Sequence, residues 1–108
     1  MSARPSSRDL EMVTDTLRAS RDSRLPPARW DRIELAVAAI LAAIERGEVA
    51  LIKQEREVIE RLDVRQQHVA GPGRDAPVKQ PERVRAAADD LTRRIEKLRA
   101  DEDREKSR

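Results

Sequence analysis

Apolar residues recur along this chain at helical spacing in four stretches. In the first, Leu10, Val13 and Leu17 fall three and four apart and form one narrow stripe, which predicts a helix from about Arg8 to Ser20. Ser6 and Asp9 stand before it at capping-box spacing, with Asp in place of Glu. Arg21 to Leu25 has no period and reads as a linker, closed by Pro26-Pro27. Proline suits the first turn of a helix, where its missing N–H has no partner to lose. A second helix is therefore expected from Pro27 to about Arg46. Gly47 ends it, because glycine alone takes the left-handed conformation past a helix end cheaply. Trp30, Ile33, Val37, Ile40 and Ile44 share one face of this helix. Leu35, Ala38, Ala39, Leu41 and Ala42 widen that face until little polar surface is left. Leu35 to Ile44 is an unbroken apolar run of ten residues, five of them alanine. A surface helix shows one apolar stripe, whereas a helix apolar nearly all round has to be covered by other elements. This segment is the expected hub of a helical assembly.

A third helix is expected almost at once, from Glu48 to about Asp63, with Leu51, Ile52, Val58, Ile59 and Leu62 inward. So short a connection makes an antiparallel αα-hairpin. Glu57 and Arg61 are placed for an exposed i,i+4 pair. Arg65 to Gln80 then breaks the pattern, with Gly71-Pro72-Gly73, Pro77 and no period. Loops of that length inside a compact domain tend to be functional or flexible, and a plain linker is the simpler reading. Pro81 opens a fourth helix. Its apolar residues Val84, Ala88, Leu91, Ile95 and Leu98 follow the four-three spacing of a coiled-coil seam. Asp89 with Arg93, and Asp90 with Arg94, are expected to brace it at i,i+4. The seam is too short to stand alone, so it has to lean on the hairpin, on a second copy or on another protein. Asp101 to Arg108 is charged apart from Ser107 and is expected to fray, and residues 1–5 are expected to be disordered.

Composition narrows the class. Among 108 residues, 41% are charged and Trp30 is the only aromatic. That balance favours helices and argues against a β-rich fold. Net charge is +2, from 23 basic and 21 acidic residues that are interleaved throughout. A nucleic-acid binder clusters its bases on one face, so a solvated helix surface is the plainer reading here. The chain has no cysteine, which removes disulfides and thiolate chemistry and suits a cytoplasmic location. Met1 to Asp9 shows no apolar signal segment. The Leu35–Ile44 run is about half of the ~20 residues that span a membrane.

Little in the sequence suggests catalysis. His68 is the only histidine and has no partner at dyad spacing, so no zinc set is recognisable and no cofactor is expected. The many carboxylates have basic neighbours and outward positions, which suits ion pairing better than acid–base work. Gly71-Pro72-Gly73 lacks the lysine and the strand of a phosphate loop. Trp30 stands out at the first turn of the most apolar helix. It either caps the core or anchors an interface, with Arg29 beside it.

Pro27-Ala28-Arg29-Trp30-Asp31, the apolar helix Ile33 to Ile44, Gly47-Glu48 and a following helix ending in Glu60-Arg61-Leu62 resemble the CATRA-associated small proteins. The resemblance covers roughly Leu25 to Asp63. Asp31 stands where the family pattern has Glu, Glu48 where it has Asp, and Glu60-Arg61-Leu62 departs from its Leu-Glu-Leu element. It implies a small helical adaptor or regulator in a bacterial conflict system, encoded beside larger partners with CATRA domains, peptidase-like effectors or NTPase modules. No catalytic residue comes across with it.

The sequence thus predicts an all-α fold, a small three- to four-helix bundle built on an antiparallel helical hairpin, with flexible termini. Its parts are a tail and short helix (1–24), the core hairpin (25–63), a Gly/Pro loop (64–80) and an amphipathic helix with a charged tail (81–108). The expected function is non-catalytic protein interaction, with a neighbouring-gene product or a second copy as partner. Val84, Leu91, Ile95 and Leu98 are the first candidate contacts, then Trp30 and the 65–80 loop. The alternative is a DNA-binding, antitoxin-like helical regulator. Its support is the arginine count and the neighbouring Arg93, Arg94 and Lys97.

Overall fold

A computed structural model describes residues 5–63 and 76–106. They form four helices: α1 (Ser7–Ser20), α2 (Pro27–Arg46), α3 (Val49–Leu62) and α4 (Glu82–Lys106). His68, Gly71-Pro72-Gly73 and most of the expected 64–80 loop lie outside the described residues, as do residues 1–4.

Local signals set the helix ends. The Ser6 hydroxyl accepts a hydrogen bond from the Asp9 amide at 3.1 Å, satisfying one donor that the first turn leaves open. Pro27 occupies the first turn of α2. Gly47 closes it with φ 72°, where a side chain would clash, and its amide reaches back to Ala43 and Ile44. From Gly47 the chain turns directly into α3, giving the antiparallel hairpin.

The helices form a square. α2 packs against α3 and α4, and α1 packs against α3 and α4, so α1 lies diagonal to α2 and α3 diagonal to α4. Arg83 of α4 pairs with Asp31 and Glu34 of α2, and Arg94 with Glu45. Residue numbers rise together along these pairs, so α2 and α4 run parallel. Both connections therefore cross a diagonal at the same end of the bundle. There they pair as a short antiparallel ribbon, β1 (Arg24–Leu25) with β2 (Val78–Lys79). Two-residue strands carry no alternation, and the sequence showed only a linker and a loop at these positions.

The core is assembled from all four helices. Leu10, Val13 and Leu17 of α1 meet Trp30, Ile33, Val37, Ile40 and Ile44 of α2, Ile52 and Ile59 of α3, and Val84, Leu91 and Ile95 of α4. Ala36 and Ala43 are also buried, and their small side chains let neighbouring helices approach closely. Leu51, Val58 and Leu62 are only partly covered.

Three expectations need correction. The charged segment from Asp101 does not fray at once: α4 stays helical to Lys106, supported by an Arg104–Asp101 pair at 3.1 Å and by residues that favour helix. The ion pairs on α4 also differ. Arg93 bonds Asp90 one turn back and Arg94 reaches across to Glu45, in place of the expected Asp89–Arg93 and Asp90–Arg94. On α3 the described pair is Arg56 with Glu60 rather than Glu57 with Arg61. Among the described residues no helix is long and apolar enough to cross a membrane.

Candidate functional site

The residues expected to meet a partner are mostly engaged within the chain. Val84, Leu91 and Ile95 have at most 1% exposure, because α4 turns its seam inward against α1 and α2. Leu98, further along α4, is half-buried against the same core. A lone seam needs a companion, and in this chain the companion is the bundle. Trp30 is fully buried too. Its indole N–H donates to the Val78 carbonyl at 2.9 Å, tying the start of α2 to the ribbon. Beside it, Arg29 donates to the Leu62 carbonyl at 3.1 Å, securing the end of α3. Trp30 is thus a core cap that fastens the crossing of the two connections. In the folded single chain, Trp30, Val84, Leu91 and Ile95 are not offered to a partner.

A different surface is open. Leu35 is 65% exposed, well above Met12 and Val78, the other exposed large hydrophobics among the described residues. Ala38 and Ala42 are exposed one and two turns on, and Ala39 is half-buried beside them. These residues form the outer face of α2, the one side that neither α3 nor α4 covers. Pattern reading treated the Leu35–Ile44 run as enclosed all round. In the bundle it is enclosed on three sides, because α1 sits across the diagonal and a square leaves each helix an outward face. That open side is the signal in the run that sequence reasoning missed.

Ion pairs frame this face. On the α4 edge Arg83 spans Asp31 and Glu34, and Arg94 lies 3.7 Å from Glu45. On the α3 edge Arg32 bonds Glu55 at 3.2 Å. Hydrogen bonds from Arg83 to Glu34 and then Asp31 push its pKa above the ordinary arginine value. A guanidinium so held keeps its charge at any ordinary pH and cannot serve as an acid or base. Asp31 and Arg46 mark the two ends of the face, with side chains 61% and 72% exposed.

At the ribbon end lies an open cleft of about 590 Å³. Arg21, Arg24, Lys79 and Arg85 line it, together with Asp22, Glu82 and Asp89. Arg24 stands directly opposite Lys79 in the ribbon, an arrangement that like charges disfavour. Among the described residues none of these four bases forms an ion pair. The three acids dilute the field, so the cleft is polar and mixed rather than strongly basic. Among the described residues no three His, Cys, Asp or Glu side chains come together as a metal ligand set.

No family model, curated protein or solved structure matches the chain.

Proposed function

We propose that this chain is a non-catalytic helical interaction module, an adaptor or regulatory small subunit that works by presenting the outer face of α2 to a protein. The observation that carries the reading is Leu35, 65% exposed on a helix face without charge from Leu35 to Ala42. Surface hydrophobics scattered singly need no explanation, but a contiguous apolar patch rimmed by polar residues marks a contact site. The rim of ion pairs is present on both sides.

The resemblance of Leu25–Asp63 to the CATRA-associated small proteins supplies the context: a bacterial conflict system, and a partner with a CATRA domain, a peptidase-like domain or an NTPase module. The test is co-purification of the full chain with the product of an adjacent gene of that kind, beside a Leu35→Glu variant. Capture that Leu35→Glu abolishes supports the reading. Capture indifferent to Leu35, or turnover of a substrate by the purified chain, overturns it.

The ribbon cleft favours a second reading, as a DNA-binding regulator, through Arg21, Arg24, Lys79 and Arg85, which form no ion pair among the described residues. Binding to duplex DNA that weakens steeply with salt, and that Arg24→Ala reduces, would put this reading first.

A further inference from the structure

The outer face of α2 is self-complementary, and we infer that its occupant is a second copy of the same chain, docked antiparallel about a two-fold axis between Ala38 and Ala39. The inference rests on the interaction-module reading and names the partner at that same face.

The argument is one of register. Along the face, Asp31, Leu35, Ala38, Ala39, Ala42 and Arg46 project outward, with an acid at one end and a base at the other. One antiparallel register fits all of them. It sets Asp31 against Arg46 of the second copy, and Leu35 against Ala42 of the second copy. Ala38 and Ala39 then flank the axis, each near its own counterpart. Each leucine thus enters a hollow left by an alanine, and the alanines at the axis let the backbones come close. Parallel docking instead stacks Leu35 on Leu35, Asp31 on Asp31 and Arg46 on Arg46, where like charges repel.

The edges agree with the antiparallel choice. At each end, Arg83 with Asp31 and Glu34 comes beside the second copy's Arg46, Arg94 and Glu45. Three bases there meet three acids. Both end groups remain accessible: Asp31, although bonded by Arg83, is 61% exposed, and the contact of Arg46 with Glu48 is a loose 3.9 Å. A homodimer with closed two-fold symmetry uses one patch on both subunits, which is the property this face has. One helix face per copy is small beside the roughly 1,200–2,000 Å² of a standard interface. The dimer is accordingly weak and exchanging.

Sedimentation equilibrium of the full chain over a wide concentration range tests it. The expected result is a monomer–dimer equilibrium that Leu35→Glu weakens about ten-fold or more, the scale of losing one buried leucine. Arg46→Glu weakens it as well, and adding Asp31→Lys restores it. Cysteine substitution reads the direction, since the chain has no cysteine of its own. Ala38→Cys forms an intermolecular disulfide readily. Ala42→Cys does not, because antiparallel docking puts the two sites seven residues, or about 10 Å, apart along the axis. Cross-linking at Ala42 but not at Ala38 overturns the antiparallel dimer. A chain that stays monomeric at every concentration overturns it too. If that monomer still captures a neighbouring-gene product through Leu35, the interaction-module reading survives without the dimer. If Leu35→Glu changes neither association nor capture, both fail.

Discussion

Replacing Leu91 by alanine, and separately Leu35 by alanine, makes the same chemical change at opposite burial. Leu91 is 0% exposed and Leu35 65%. Truncating a core leucine removes its transfer energy and leaves a cavity, together about 2–5 kcal/mol. Full burial of a leucine contributes about 1.5–3 kcal/mol, so the covered third of Leu35 accounts for roughly 0.5–1 kcal/mol. In a domain near 100 residues, about 1 kcal/mol moves Tm by about 4–8 °C. Leu91→Ala is therefore expected to lower Tm by about 8–40 °C, and Leu35→Ala by less than about 8 °C. Thermal melts by far-UV circular dichroism read the difference, at a concentration low enough to keep the chain monomeric. The pair tests the central packing result, that α4 spends its seam inside the chain. Equal shifts, or a Leu91→Ala variant as stable as the parent, refute it and return Leu91 to the surface of the monomer.

Trp30→Phe removes the hydrogen bond to Val78 and leaves a gap beside a fully buried ring, and is expected to lower stability by about 1–3 kcal/mol, seen as a lower urea midpoint at unchanged slope. An unchanged midpoint means the bond to the ribbon contributes nothing. Trp30 fluorescence and far-UV circular dichroism are expected to trace the same unfolding curve, since the ribbon end and the helices share one core; separate midpoints would show the ribbon opening on its own. Gly47→Ala forces a side chain into the left-handed region and is expected to lower stability by about 1–2 kcal/mol. Calorimetry showing no loss would mean that the turn relaxes.

Helix limits were legible because they are encoded within a few residues. Ser6 with Asp9, Pro27 and Gly47 each act on neighbours one turn away, and α2 runs from Pro27 to Arg46 as its pattern implies. Inward faces were legible for the same reason: Leu10, Val13 and Leu17, or Trp30 to Ile44, repeat at helical spacing and are buried. What the pattern does not contain is which helix covers which. The seam of α4 reads alike whether it meets its own bundle or another protein, since spacing defines a face and not its occupant. The ribbon was equally hidden. Its strands pair across more than fifty positions, and they exist only because two diagonal connections cross at one end. The outer face of α2 follows from the same cause, since the diagonal placement of α1 decides which side of that helix stays open.

The alanines of α2 serve two ends that the structure separates. Ala36 and Ala43 are buried and allow close helix packing. Ala38 and Ala42 are exposed and contribute nothing to the core. Helix propensity alone does not account for them, because Glu, Lys and Arg stand close behind Ala in that ranking and fill the other outward faces. A chain that is 41% charged nonetheless places no charge from Leu35 to Ile44. Ala38→Lys distinguishes the two explanations. An exposed substitution away from caps and core changes monomer stability by no more than about 0.5 kcal/mol. If the face exists for contact, that variant melts as the parent does in dilute solution but loses association at high concentration. If the face exists only to favour helix, both properties stay as they were.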